Sequence, residues 1–434
     1  MLVELKLYQT AAFQFVDVIR MNNAKYSKLA IEKLSIVADG LGDDTILNYA
    51  ISRVDLSDFP AKLKDMIYFR MGEIKSKNRD FAKAEDAFNR VAPSSSYYYQ
   101  AIFNQGLAQL ETSQVDRAIQ TFQKMLEERE RAPVTDVNKV SAQMAIARAY
   151  YQKQDWEAAI DAYSRIPRDT LMWHDAIFEQ SWAMLRAARF RSVLSNFQSL
   201  HSSYYQDFYM PESLLLRAIV YLYICKYDEM EKVLSLFEMT YGPVRSKIGD
   251  MLQGTNEAMD YYTEVEKAQV MKSSDKDLKT RLPFIVSRNI LDQGNVKRSM
   301  HYLKRLSQEK ARVESNPAFR ASALGQYSLK VLANRSRNTK YSIGDMVKAH
   351  LLNMRVELRD LYEQAGFIRY EMINGRKETL KKRIAGKDIS EEQIDAEVDR
   401  KFYISNGYEY YPFQGEYWLD EIGNYHYLGK QSCE

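Results

Sequence analysis

The chain has 434 residues, a formal net charge of +3, 46% hydrophobic and 27% charged residues. A near-neutral chain of this size exerts no overall electrostatic pull on nucleic acid, and no apolar run reaches the roughly 18 to 20 residues that a membrane-spanning helix needs. Only 17 glycines and 9 prolines against abundant Ala, Leu, Lys and Glu favour helix over strand, and two cysteines, Cys225 and Cys433, exclude a disulfide-rich scaffold.

The start, "MLVELKLYQTAAFQF", carries Glu4, Gln9 and Thr10 and lacks the layout of a secretory leader. Residues 1–60 read as helices ("AAFQFVDVIRMNN", "YSKLAIEKLSIVADG") and are expected to form a degenerate helical cap.

From residue 61 the chain repeats. "DFAKAEDAFNRV" and "DWEAAIDAYSRI" share one amphipathic layout, and Gly72/Gly106, Ala84/Ala118 and Phe88/Phe122 are each 34 residues apart. After an insertion of about seven residues the register resumes at Ala147, Ala159 and Tyr163, returns to 34 at Ser181, Val193 and Phe197, and continues with Ala218, Met230 and Leu234. A poorly matching unit near 245–279 precedes a further copy at Ser287, Ser299 and Leu303. A small residue in each first helix lets the second approach closely, and a small residue early in the second meets it. Val193 and Met230 are larger, so looser packing is expected in those units. A large apolar residue three positions earlier (Phe81, Val115, Trp156, Phe190, Tyr227, Val296) lies one turn away on the same face. Pro60, Pro93, Pro133, Pro167, Pro211, Pro243, Pro283 and Pro317 are spaced 32 to 44 apart, and nearly all are expected at turns or helix starts.

This pattern resembles the tetratricopeptide repeat family, whose unit is a 34-residue helix–turn–helix. The resemblance implies an all-α fold: a right-handed α-solenoid across residues 61–317. Residues 318–434 form a C-terminal extension of long helices and an aromatic-rich tail. Within it the steps of three and four in "SIGDMVKAHLLNMRVELRDLYEQAGFIRYEMINGRKETLKKRI" predict one helix from Asp345 to about Arg383, kinked at Gly366 or Gly375. Ser390 with Gln393 gives a capping box for a short helix. The closing residues hold Tyr408, Tyr410, Tyr411, Phe413, Tyr417, Trp418, Tyr425 and Tyr427, too much aromatic surface for a free tail, so the tail is expected to dock on the repeats or on a partner.

Catalytic and metal chemistry finds no support in the residues. The five histidines have no His or Cys partner at metal-ligand spacing, and no HExxH, GxSxG or paired catalytic carboxylates occur. "GNYHYLGKQ" is one residue too long for a phosphate loop and has no Ser or Thr after Lys430. The basic cluster at 376–387 is interrupted by Glu378 and contains no aromatic residue, so it does not read as a nucleic-acid site. A non-enzyme without metal or cofactor is expected.

In the family, the groove is lined by the positions three before, one after and four after the small residue of each first helix. The resemblance therefore assigns a partner-binding groove to Phe69, Phe103, Leu107, Leu110, Tyr151, Phe178, Trp182, Leu185, Leu215, Ile219 and Leu222, with Arg148 among them. The set is largely apolar and differs from the Lys/Asn/Arg set by which some chaperone-adaptor members hold a C-terminal carboxylate. An apolar groove of this length needs an occupant: the chain's own long helix or tail, or a helix or extended segment of another protein.

The expected function is a non-catalytic protein–protein interaction scaffold, with an adaptor or regulatory repeat protein serving a chaperone or catalytic partner as the alternative. In style the chain is similar to repeat proteins of bacterial envelope assemblies, and "YPFQGEYWLDEIG" is similar to gliding-motility-linked members. That resemblance implies a periplasmic or outer-membrane-associated location, with the cytoplasm as the alternative. A Cys225–Cys433 bond would clamp the tail in an oxidising compartment; the competing reading is two free thiols.

Overall fold

A computed structural model describes residues 1–21, 24–42, 47–49, 63–270, 280–384, 405 and 416–427. Among the described residues every regular element is helical. They fall into two compact units, residues 1–125, 255–280 and 287–350, and residues 126–254, 281–286 and 351–434.

The first unit opens with α1 (Tyr8–Arg20) and α2 (Ala24–Leu41), followed by the first two repeat pairs: α3 (Lys64–Lys77) with α4 (Phe81–Asn89), and α5 (Tyr98–Glu111) with α6 (Val115–Glu128), whose last turn passes into the second unit. The repeat register is physical here. A Cβ on Gly72 would collide with the Phe88 ring and one on Gly106 with the Phe122 ring, while Ala84 and Ala118 are fully buried. The small residues exist because a ring occupies the space their side chains would take.

The same unit contains α13 (Ala258–Val270), α15 (Gly294–Glu314), α16 (Pro317–Ala321) and the first half of α17 (Ala323–Ile384). α1 has no side-chain cap of its own. Its first-turn donors go instead to the buried Glu309 of α15, which accepts from the amides of Gln9 (2.9 Å) and Thr10 (3.1 Å) and from the Thr10 hydroxyl (2.9 Å). A carboxylate at a helix N-terminus answers both the orphan amides and the helix dipole. Burial pushes the Glu309 carboxyl up, against the lowering effect of these bonds. Leu7, Leu306, Val313 and Leu332 form a buried cluster in the same unit.

The second unit continues with α7 (Val137–Gln152), α8 (Trp156–Ser164), α9 (Trp173–Arg186), α10 (Phe190–Leu200), α11 (Pro211–Tyr223) and α12 (Tyr227–Gly254), each from α8 onward packed on its predecessor. α14 (Phe284–Asp292) begins in this unit. Ala147, Ala159, Ser181, Val193, Ala218 and Met230, the register positions, are all fully buried, the larger Val193 and Met230 included.

Five repeat turns share one backbone device. Arg79, Ser113, Gln154, Ala188 and Cys225 take φ of 55° to 64° directly after the first helix of each pair. In each turn the next residue's amide reaches back five positions, as from Asp80 to Lys75 (2.9 Å) and from Arg189 to Met184 (2.8 Å). This is the Schellman closure, which satisfies terminal carbonyls and reverses the chain. None of the five is glycine, although the left-handed region disfavours side chains.

Two sequence expectations are corrected. Pro243 marks no turn: it lies inside α12, a 28-residue helix. The missing amide is tolerated because Phe237, Tyr241, Val244, Ile248 and Met251 form one buried row on the same helix. The long helix begins at Ala323, not Asp345, and runs unbroken for 62 residues through Gly366 and Gly375. Ser322 starts it, accepting from the Gly325 amide (3.1 Å) and donating to the Phe319 carbonyl (2.6 Å).

From residue 351 onward α17 packs antiparallel along α12. Arg376 meets Asp228 (2.7 Å), Arg369 meets Glu238 (2.9 Å), and the Tyr362 ring stands 4.9 Å from Phe237. The buried face is a single heptad row, Leu351, Met354, Leu358, Leu361, Ala365, Ile368 and Met372. The short helix expected at Ser390 lies outside the described residues.

Candidate functional site

The residues assigned to the groove sit in both units. In the first, Phe69 is buried and tied up by the rings of Phe88 (6.0 Å) and Tyr97 (5.3 Å). Phe103 leans on Phe122 (5.6 Å) and is half-buried with Leu110, while Leu107 is 39% exposed. In the second unit Leu215 is fully buried, and Tyr151, Phe178, Trp182, Leu185, Ile219 and Leu222 are half-buried. Phe69 and Leu215 therefore present no surface to a partner. Both lie three residues before the small position, as does the buried Met144 of α7, whereas Phe103 and Phe178 at the same place stay half-buried. The residues one and four after the small position keep accessible surface.

The exposed half of this stripe contains one strong polar cluster. Arg148 of α7 clamps Glu179 of α9 through two bonds of 2.8 and 2.7 Å, and the Tyr163 hydroxyl of α8 donates to the same carboxylate at 2.9 Å. A bidentate pair of this kind fixes the spacing of consecutive first helices. Hydrogen bonding from Glu179 holds the Arg148 guanidinium up, and burial pushes the Tyr163 phenol up. Arg148 is thus neutralised within the repeats and does not offer a free cation to a partner carboxylate. The face is apolar in character.

Residues 416–427 lie elsewhere. Ile422 is buried, the Gly423 amide donates to Ser199 Oγ (2.7 Å) and the Tyr427 amide to Ser195 Oγ (2.9 Å), both on α10. Arg168 donates to the carbonyls of Asp420 (3.1 Å) and Ile422. Gly423 has φ +89, and a Cβ there would come within 2.9 Å of the Trp173 ring. This segment seats on the second helix of the fourth repeat, leaving Phe178, Trp182 and Leu185 of α9 outside its hydrogen-bonded contacts. For residues 416–427 the docking expected of the tail is therefore onto the repeats; the seat itself was not legible in the sequence, because Ser195, Ser199 and Arg168 belong to no motif. Tyr408, Tyr410, Tyr411 and Phe413 lie outside the described residues.

Beside the seat is a buried polar set. His201 Nε2 donates to Ser213 Oγ (2.9 Å), whose own proton goes to the Met210 carbonyl (2.6 Å), and Arg217 donates to His201 Nδ1 (3.3 Å). Burial, reinforced by the Arg217 charge, pushes His201 down to about 3, so the ring stays neutral. The serine proton is committed to a backbone carbonyl, so the pair serves as a structural bridge and not as a nucleophile with its base. Among the described residues no group of His, Cys, Asp or Glu is arranged to hold a metal ion, and no helix is long and apolar enough to cross a membrane.

Two segments, residues 69–133 and 141–169, match tetratricopeptide-repeat family profiles. These segments are tetratricopeptide repeats. They coincide with the helix pairs built on Gly72, Gly106 and Ala147, and the fold is an α-solenoid of this type. No curated protein matches the chain. Among solved structures it is similar to MamA MSR-1 C2, at 15% identity and a TM-score of 0.31 over 42% of this chain and 96% of that one. It is also similar to a Rap protein complexed with competence and sporulation factor, at 11% identity and a TM-score of 0.33 over 79% and 99%. Scores this low carry no functional argument.

Cys225, the left-handed residue of the fifth repeat turn, is disulfide-bonded. The free thiol weighed for this position is therefore replaced. The other cysteine of the sequence, Cys433, lies outside the described residues.

Proposed function

We propose that the protein is a non-catalytic scaffold that binds a helix or extended segment of a protein partner along the first-helix face of its repeats. One observation carries this reading. Phe178, Trp182 and Leu185 of α9 with Ile219 and Leu222 of α11 keep accessible apolar surface, while the one strong cation among them, Arg148, is ion-paired with Glu179. Such a face suits the apolar side of an amphipathic helix better than a charged terminus. A bacterial envelope or motility assembly is the proposed setting. The disulfide at Cys225 supports an oxidising compartment, where such bonds persist.

The test is site-specific photocrosslinking in the native cell, with the probe placed at Trp182 or Leu222 and, as control, at exposed Leu171. A discrete protein adduct from the first two positions and none from the third supports the reading. No adduct from either groove position, with the protein folded and abundant, overturns it. Export is tested separately by thiol labelling of intact cells: a reduced, labelled Cys225 would place the protein in a reducing compartment.

A further inference from the structure

The second half of α17 carries two heptad rows, and packing on α12 uses only one. The other row runs through Leu352, Val356, Tyr370, Ile373, Leu380 and Ile384, interleaved with Arg359, Glu363, Gly366 and Lys377 in steps of four and three. All ten residues are exposed, the six large apolar ones by 36% to 85%. On a solvated helix face these positions would ordinarily be polar. A second apolar heptad row on a long helix is the seam of a second helix contact.

The order of residues along the row indicates the occupant. Lay the row antiparallel on a copy of itself, with the two-fold axis beside Ile368, midway between Leu352 and Ile384. Leu352 then faces the partner's Ile384, and Val356 faces the partner's Leu380, so apolar layers close both ends. In the centre Tyr370 faces the partner's Gly366, which has no heavy atom within 4 Å of the place its Cβ would take. The large ring thus enters an open notch. Phe367, 74% exposed, flanks the row at the axis and meets its own counterpart. A two-fold contact must be self-complementary, and this row satisfies that condition at its ends and its centre.

We infer that the outward row of α17, Leu352 to Ile384, is a homodimer interface in which two copies pair as an antiparallel helical coil. The row spans about 48 Å at ~1.5 Å per residue, and a helix-wide strip of that length buries on the order of 1,000 Å² in total. That is below the usual range of stable interfaces, so the expected self-association is weak. Two of the five layers oppose it: Glu363 faces the partner's Ile373 across the seam, and a like-charge layer lies next to it. Arg359 faces the partner's Lys377, with Glu363 one turn away and Arg355 on the flank. Added salt screens this repulsion and should tighten the dimer. An acidic partner helix on the same row would instead be weakened by salt.

The experiment is sedimentation of the full chain over a micromolar concentration series at low and high salt, for wild type and the Ile373→Glu/Leu380→Glu variant. The expected result is a species of twice 50.6 kDa, favoured by salt and weakened about tenfold or more in the variant. Both side chains are more than half exposed, so unchanged helicity by circular dichroism certifies that the variant is folded. Phe367→Cys should give a covalent dimer on oxidation. A monomer at every concentration overturns the inference. So does a dimer indifferent to the double substitution, which would place the contact elsewhere. A monomer that melts lower in the variant would assign the row to this chain's own residues 385–415, and a monomer binding only an acidic helical peptide would assign it to another protein. Because photocrosslinking at Trp182 reads the first-helix face, each proposal can fail without the other.

Discussion

The Phe122 ring occupies the space that a side chain on Gly106 would need, and a Cβ there would reach the ring at 2.5 Å. The same relation holds one repeat earlier between Gly72 and Phe88. Gly106→Leu should therefore destabilise the chain by about 1–3 kcal/mol through overpacking, more than the cost of leucine on a helix surface. Gly106→Leu combined with Phe122→Ala should recover part of that loss, because the two residues share one volume. Urea denaturation of the two variants checks it; equal midpoints for wild type and Gly106→Leu would count against the packing described.

The repeat turns make a prediction of opposite sign. Ala188 sits at φ 55 without the freedom of glycine. Ala188→Gly should raise stability by about 0.5–1 kcal/mol, since relief of the left-handed strain exceeds the extra entropy of the unfolded chain. Gly249 lies inside α12, where the reverse change, to alanine, should stabilise by a similar amount. A melting temperature lowered by Ala188→Gly would contradict the turn geometry.

His201 sets an acid limb. In the unfolded chain a histidine titrates near 6.5. In the folded chain it is held down to about 3. Above the unfolded value both states are neutral and nothing changes. As pH falls from 6.5 toward 3 the unfolded chain takes up a proton that the folded chain refuses, so stability is lost over that window. The loss is at most about 5 kcal/mol, and less for a ring with partial solvent access. Urea midpoints between pH 7 and pH 4 should fall less steeply in His201→Gln than in wild type. Parallel profiles would show that the ring is not held neutral.

The seat of residues 416–427 predicts local protection. The Gly423 and Tyr427 amides donate to Ser199 and Ser195, and Ile422 is buried between them. Ile422→Asp should free the segment: hydrogen exchange across 416–427 should accelerate at least about tenfold, while exchange in α3 to α6 stays as in wild type. Fluorescence of Trp173, buried in the folded chain, should shift to the red. Unchanged exchange in the variant would mean that the serine contacts do not hold the segment.

What the sequence determined by itself was the repeat. Gly72 with Phe88, Gly106 with Phe122, and the small residues through Ala218 were legible because each small–large pair closes within one 34-residue unit. Local periodicity and side-chain volume suffice to specify a contact between neighbouring helices. The candidate groove was legible only in part: Phe69 and Leu215 are buried whereas Phe103 and Phe178, at the same register position, keep surface, because neighbouring side chains and not the register decide their burial. The tertiary structure decided the rest, through partners far away in the chain. Glu309 caps α1 across some 300 residues. Pro243, itself exposed, stays inside α12 because the row from Phe237 to Met251 on the same helix is buried, against the local preference of proline to end a helix. The start of α17 at Ala323 rests on Ser322 and on the neighbours that bury Leu332, Ile343 and Val347. In each case a distant contact outweighs a local preference, and no window of sequence contains both halves of it.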